Sequence, residues 1–176
     1  SKQQNIGYLD SFNVSDGQLQ VSGWHAADMT SLEKNHYLIL FDNTTNTQIL
    51  SQKVGNVMRS DVAQIYSNIQ NANWADFNVN LGKVTLLPGH SYSLVSRYST
   101  ASVGNGDSGL YTDYWFTLPQ QNQQEYSIDN VFMTKAGLHL TGWMASDYSV
   151  VAPNAYLIIL SNGQEIGRQK VSLTER

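Results

Sequence analysis

Residues 8–54 of this chain and residues 127–171 run through one pattern twice. Gln20-Val21-Ser22-Gly23-Trp24-His25-Ala26-Ala27-Asp28 returns as His139-Leu140-Thr141-Gly142-Trp143-Met144-Ala145-Ser146-Asp147, an offset of 119 between Gly23 and Gly142. The same offset pairs Asp10 with Asp129, Leu19 with Leu138, Asn35 with Asn154, and Tyr37-Leu38-Ile39 with Tyr156-Leu157-Ile158. After a two-residue deletion, Gln52-Lys53-Val54 aligns with Gln169-Lys170-Val171, and Arg59 with Arg176. A period this long marks a whole domain used twice, not a solenoid unit of roughly 20–50 residues. One copy is large enough to bury its own core. The expected organisation is a complete repeat over 1–118, a polar linker over 119–126, and a truncated second repeat over 127–176. The second copy breaks off before its midpoint, which reads as a fragment of a longer protein.

Local patterning is β almost throughout. Leu19, Val21 and Gly23 alternate with Gln18, Gln20 and Ser22, the period of a half-buried strand. Asp16-Gly17 in front of them is a hairpin turn leading back to a strand over 8–14. Residues 36–41 form a continuous apolar run, a central strand covered on both faces. Asn43-Thr44-Thr45-Asn46 is the next turn and 48–54 the next strand. The second copy shortens that turn to Ser161-Asn162-Gly163, a length change of the kind a shared scaffold tolerates. Ser60 is placed to cap a short helix with Val62, Ile65 and Tyr66 on one side. Further strands are expected over 77–81, 91–98 and 110–116, with a turn at Pro88-Gly89 and a Gly-rich loop over 101–108. About seven strands at this spacing predict an all-β chain: an antiparallel, immunoglobulin-like β-sandwich with one short helix, followed by the first part of a second copy.

Composition narrows the function classes. The net charge is −4 with only 10 Lys and Arg, and no basic stripe is present, so nucleic acid and anionic lipid are poor partners. The apolar runs are far too short to span a bilayer, so no membrane insertion is expected. The absence of Cys removes disulfides, thiolate metal sites and Cys nucleophiles. Few charges with abundant Asn, Gln, Ser, Thr and Tyr suit an extracellular β protein.

Three sets of residues resemble a repeat module of secreted surface proteins and peptidoglycan hydrolases of lactobacilli. They are Leu9-Asp10-Ser11-Phe12 through Ser22-Gly23-Trp24-His25-Ala26; Arg59-Ser60-Asp61-Val62-Ala63 with Tyr66; and Ser96-Arg97-Tyr98-Ser99 followed by Asp113-Tyr114-Trp115-Phe116. The resemblance covers about residues 8–116 and again 128–176. It implies an extracellular, cell-wall-associated module of a Gram-positive bacterium, sitting beside catalytic or anchoring domains and holding them at the wall. Met144 departs from it, standing where the first copy has His25.

Catalytic and metal motifs do not hold up. Gly106-Asp107-Ser108-Gly109 looks like the nucleophile segment of chymotrypsin-like proteases, but one copy is too short for two barrels and no His segment supplies the base. Asn105, Asp107 and Asp113 lack the ligand pattern of a calcium loop, and no His pair has zinc spacing. Asp10 and Asp28 recur as Asp129 and Asp147. A glycan-cleaving pair kept in each of two small repeats would be odd, so Asp10 is expected to accept backbone N–H bonds and Asp28 to shape the loop after Trp24. No catalytic residue, metal or cofactor is expected.

Binding residues are the better search. Gly23-Trp24 and Gly142-Trp143 read as structural core, an indole packed against backbone that only Gly lets approach, with an aromatic sugar platform as the other reading. On the strand over 110–116, Tyr111, Asp113 and Trp115 share one face and Tyr114 and Phe116 the other. A face mixing aromatics with Asp is the better ligand strip. Arg97 and Arg59 are candidate phosphate binders, Arg97 alternatively bridging to Asp113 or Asp61, and Tyr66 and Trp74 complete the aromatic set. The expected function is non-catalytic binding of cell-wall polysaccharide, teichoic acid or host glycan with tandem avidity; the alternative is a spacer without ligand. The apolar faces of the truncated copy are expected to pack on another chain or on the first copy.

Overall fold

A computed structural model describes residues 3–120, 123–172 and 174. The chain divides into two compact units, one over 1–85 with 90–120 and one over 86–89 with 121–176.

The first unit is a two-sheet antiparallel sandwich. Strands β1 (Asn5–Ser15), β2 (Gln18–Ala27) and β5 (Asp76–Lys83) make one sheet in the order β1-β2-β5. Strands β3 (Asn35–Asp42), β4 (Thr47–Val54), β6 (Tyr92–Ser99) and β7 (Tyr111–Thr117) make the other in the order β4-β3-β6-β7. This is the strand arrangement of an immunoglobulin-like sandwich. Between the sheets, Leu19, Val21 and Phe77 meet the buried face of Leu38, Leu40, Leu94 and Phe116, with the Phe77 ring centroid 6.1 Å from that of Phe116. Helix α1 (Ser60–Ile65) takes the place between β4 and β5. Together with a 3₁₀ turn at Ala72–Trp74 it carries Val62, Ile69 and Ala72 onto Trp24 and Ala26, the outward residues of β2.

Turn chemistry explains the hairpins. Asp16 and Gly17 both take positive φ (51° and 72°), as a tight hairpin of this hand requires. Trp24 is only 9% exposed and packs on Tyr66 at 5.4 Å, in the cluster under the helix rather than between the sheets. A Cβ on Gly23 would stand 2.5 Å from Tyr8 O, and one on Gly142 would meet Ser127 O in the same way.

Some local expectations are corrected. Arg59 occupies the N-cap of α1 and no side chain caps it. Val62 is buried and Tyr66 partly so, but Ile65, at the last turn of the helix, faces solvent. The linker is shorter than expected. Strand β8 (Gln124–Thr134) already begins at Gln124, the position equivalent to Asn5 where β1 begins.

The second unit consists of two hairpins, β8 with β9 (Gly137–Ser146) and β10 (Ala155–Ser161) with β11 (Gln164–Val171). Its registers repeat those of the first copy down to the irregularities. β1/β2 breaks register around Asp10, between Leu9 and Ser11, and β8/β9 breaks around Asp129, between Ile128 and Asn130. β3/β4 skips Ile49, and β10/β11 skips the equivalent Ile166. Asp28 Oδ2 accepts Gln4 N–H at 2.7 Å, and Asp147 Oδ2 accepts Gln123 N–H at 2.9 Å. Trp143, core in the first copy's terms, is 41% exposed here, and Leu138, Tyr156, Leu157 and Ile158 are exposed as well. Arg176 lies outside the described residues.

Candidate functional site

The outer face of the four-stranded sheet carries the expected strip. Residues of one row alternate with the core row, so Tyr37, Ile39 and Phe41 of β3, Val95 and Arg97 of β6, and Tyr111, Asp113 and Trp115 of β7 point away from the interior. The register sets Val95 beside Trp115, Arg97 beside Asp113, and Ser99 beside Tyr111. Tyr114 and Phe116 take the opposite face, where Phe116 is buried.

The Gly-rich loop after β6 folds over part of this outer face. Tyr37 OH donates to Ala101 O at 3.0 Å, Ser99 OH donates to Gly106 O at 2.5 Å, and Asn105 Nδ2 donates to Gln48 Oε1 at 2.7 Å. Gly106, at φ 82°, lies flat on the Tyr37 ring, where a Cβ would stand 2.8 Å from ring carbon. The loop thus buries Tyr37 and Ile39 and explains why the central strand is covered on both faces. It leaves open a groove of about 230 Å³ with Ile39, Phe41 and Val95 as floor, Tyr111 and Trp115 on one side, and Gln48, Asn105 and Asp107 on the other. Trp115 is 51% exposed and Tyr111 48%. Phe41 holds Trp115 edge-on at 5.5 Å.

Arg97 is spent within this wall. Nε donates to Asp113 Oδ1 at 2.7 Å and Nη2 to Asp113 Oδ2 at 2.8 Å, while the guanidinium carbon sits 4.0 Å from the Tyr111 ring centroid. The bridge to Asp113 takes Arg97 out of phosphate binding, and it fixes the Tyr111 ring. The Asp113 pair holds the Arg97 guanidinium above its ordinary pKa range. Asp113 oxygens turned to Arg97 do not form a calcium loop with Asn105, whose Oδ1 accepts Asp107 N–H at 3.1 Å.

Arg59 and Tyr66 lie away from the groove. Arg59 Nη1 donates to Asp10 Oδ2 at 2.5 Å and to Asp76 Oδ1 at 2.8 Å, and Nε to Asp61 Oδ1 at 2.8 Å. These bonds raise the Arg59 pKa further and lower that of Asp61. Asp10, the bulge residue of β1, therefore anchors the segment before α1 through Arg59 rather than accepting backbone N–H groups. Tyr66 packs on Trp24. Trp74, half exposed, belongs to a separate groove with Asn56 and Asn71.

One feature had no sequence signal beyond the His25/Met144 difference. His25 and His36, from different sheets, meet on Ser96: His25 Nδ1 at 2.8 Å and His36 Nε2 at 2.6 Å from its Oγ. His25 Nε2 lies 2.7 Å from Asn5 Oδ1 and His36 Nδ1 2.6 Å from Asn56 Oδ1. Tyr98 OH donates to His25 O at 2.8 Å and accepts from Asn56 and Asn71. Burial lowers the pKa of both rings, His36 to about 4, with the neighbouring His36 adding to the effect on His25. Ser96 is fully buried between two imidazoles, so no substrate reaches it as a nucleophile.

No protein-family model, curated protein or solved structure matches this chain. Among the described residues, no helix is long and apolar enough to cross a membrane.

Proposed function

We propose that the first copy is a non-catalytic glycan-binding module of a Gram-positive cell surface, working through the groove on the outer face of β4-β3-β6-β7. The observation that supports this is the pair Trp115 and Tyr111, half exposed beside a buried apolar floor and rimmed by Gln48, Asn105 and Asp107. Aromatic faces with a few fixed polar groups suit the C–H faces and hydroxyls of a sugar. Arg97 and Arg59 are both committed to carboxylates, which favours an uncharged polysaccharide stretch over the phosphates of teichoic acid. Each copy binds weakly. Linked copies make the second contact intramolecular, at roughly millimolar effective concentration.

The test is retention of the chain on purified cell walls, with and without teichoic acid, and on host glycans. Trp115→Ala should abolish retention while leaving the melting temperature in place. Retention by the Trp115→Ala variant would remove this groove from the account. The paired arginines also suit a spacer that holds a neighbouring domain at the wall without a ligand, and failure of a two-copy chain to bind any wall fraction would leave that reading ahead.

A further inference from the structure

A second groove, of about 340 Å³, opens on the first unit between the 3₁₀ turns and the end of β4. Trp74 and Glu33 line it together with Asn56 and Asn71, and His36 and Tyr98 form its floor. It shares no residue with the Trp115 groove.

Glu33 is the anomaly. It follows the 3₁₀ turn Asp28–Ser31, its N–H held by Met29 O at 3.0 Å, and it is 3% exposed. Its Oε2 is buried with no hydrogen-bond partner among the described residues. Leaving such an oxygen unpaired costs about 1–3 kcal/mol, more if the group is charged. Lys34 lines the same groove, yet no ion pair joins it to Glu33 among the described residues.

The amides and the phenol nearest Glu33 have spent their protons, while Lys34 and Trp74 bring donors of their own to the lining. Asn56 Nδ2 gives its two protons to Trp74 O and Tyr98 OH. Asn71 Nδ2 gives its two to His25 O and Tyr98 OH. Tyr98 OH gives its only proton to His25 O. What remains on Asn56, Asn71, Tyr98 and Glu33 is lone pairs, so this part of the groove takes up a donor. A carboxylate beside a half-exposed indole selects a donor that is also cationic, through a charge-assisted hydrogen bond and a cation–π contact.

The chain carries its own comparison. At the positions of Glu33, His36, His25 and Asn56, the second copy has Ala152, Ala155, Met144 and Leu173. All four polar groups give way to apolar ones, while the strand registers are repeated. The hairpin registers of the repeat therefore do not depend on Glu33 or on the polar groups beside it.

We propose that this groove binds a primary ammonium carried on a sugar, with Glu33 receiving the ammonium and Trp74 flanking the ring. The assignment stands apart from the Trp115 groove.

The test is a titration of the isotope-labelled chain with glucosamine, at a pH where its amine is protonated, followed by NMR. Glucosamine should move the Trp74 indole N–H and the Asn56 and Asn71 side-chain amides and leave the Trp115 indole in place. Glucose and N-acetylglucosamine, which lack the cation, should not move them. Glu33→Gln should weaken glucosamine at least about tenfold, the loss of one charge-assisted bond. Glu33→Ala, the residue of the second copy, should do the same and melt no lower than the parent chain. No response at Trp74, an equal response to glucose, or unchanged binding by Glu33→Gln would each overturn the proposal.

Discussion

Arg97 and Asp113 face each other across β6 and β7 through two parallel hydrogen bonds of 2.7 and 2.8 Å, with the Tyr111 ring 4.0 Å from the guanidinium carbon. The pair is nearly buried and holds one wall of the groove. Arg97→Met should cost about 2–3 kcal/mol, because Asp113 is left desolvated without a partner. Replacing both, Arg97→Met with Asp113→Leu, should recover most of that loss. Urea denaturation of the two singles and the double measures the coupling, and additive losses would mean that the bridge contributes nothing specific. Arg97→Lys keeps the charge but loses the fork and the flat stack on Tyr111, so glycan retention should fall while stability changes little.

His25 and His36 make the first unit acid-sensitive. Both rings are held below their ordinary pKa of 6.5 by burial, His36 at about 4. Between these values the unfolded chain binds more protons than the folded one, so stability rises with pH. It is at its full value above about pH 6.5 and is lost as pH falls toward 4, with His36 alone contributing about 3 kcal/mol over that window. Melting temperatures between pH 7 and pH 4 test this. Exchanging both for the second copy's residues, His25→Met with His36→Ala, should flatten the profile over that range. An unchanged profile would place the sensitivity elsewhere.

Gly23→Ala should be severe for one added carbon. The nearest atom to its Cβ is the backbone oxygen of Tyr8, which cannot rotate away, so β1 must shift on β2. A loss of about 2–4 kcal/mol is expected in chemical denaturation. Gly17→Ala meets no neighbour but suffers from its positive φ, and should cost only about 1 kcal/mol.

The two units should differ in autonomy. Residues 1–118 contain a closed two-sheet core, whereas 127–176 leave Trp143, Tyr156 and Leu157 exposed on two hairpins. The first piece expressed alone should unfold cooperatively with sharp amide dispersion. The second alone should not, since isolated hairpins are marginal in water. A cooperative transition for 127–176 would show that two hairpins of this sequence suffice.

Much of the sandwich was legible because its signals are local. Period-two alternation located β2, Asp16-Gly17 marked its hairpin, and the self-alignment at 119 predicted that β8 to β11 would repeat β1 to β4, which they do down to the skipped residues Asp129 and Ile166. Alternation along β7 separated Trp115 from Phe116 before any contact was visible. Boundaries were less legible. β8 runs into the polar stretch read as linker, because its first residues pair with β9 without needing an apolar face.

The sequence by itself determined the strands, their faces and the domain repeat, since these depend on neighbours a few residues away or on likeness within the chain. Only the tertiary structure decided the partners. It turned Arg97 onto Asp113, gathered Asp10, Asp61 and Asp76 around Arg59, and brought His25 and His36 from two sheets onto Ser96. It also left Glu33 Oε2 buried without a hydrogen-bond partner among the described residues, in a groove that Trp74 also lines. Such pairings join residues far apart in the chain through strand register and sheet packing, and charge or hydrogen-bonding type alone does not say which of several acceptable partners will lie within 3 Å.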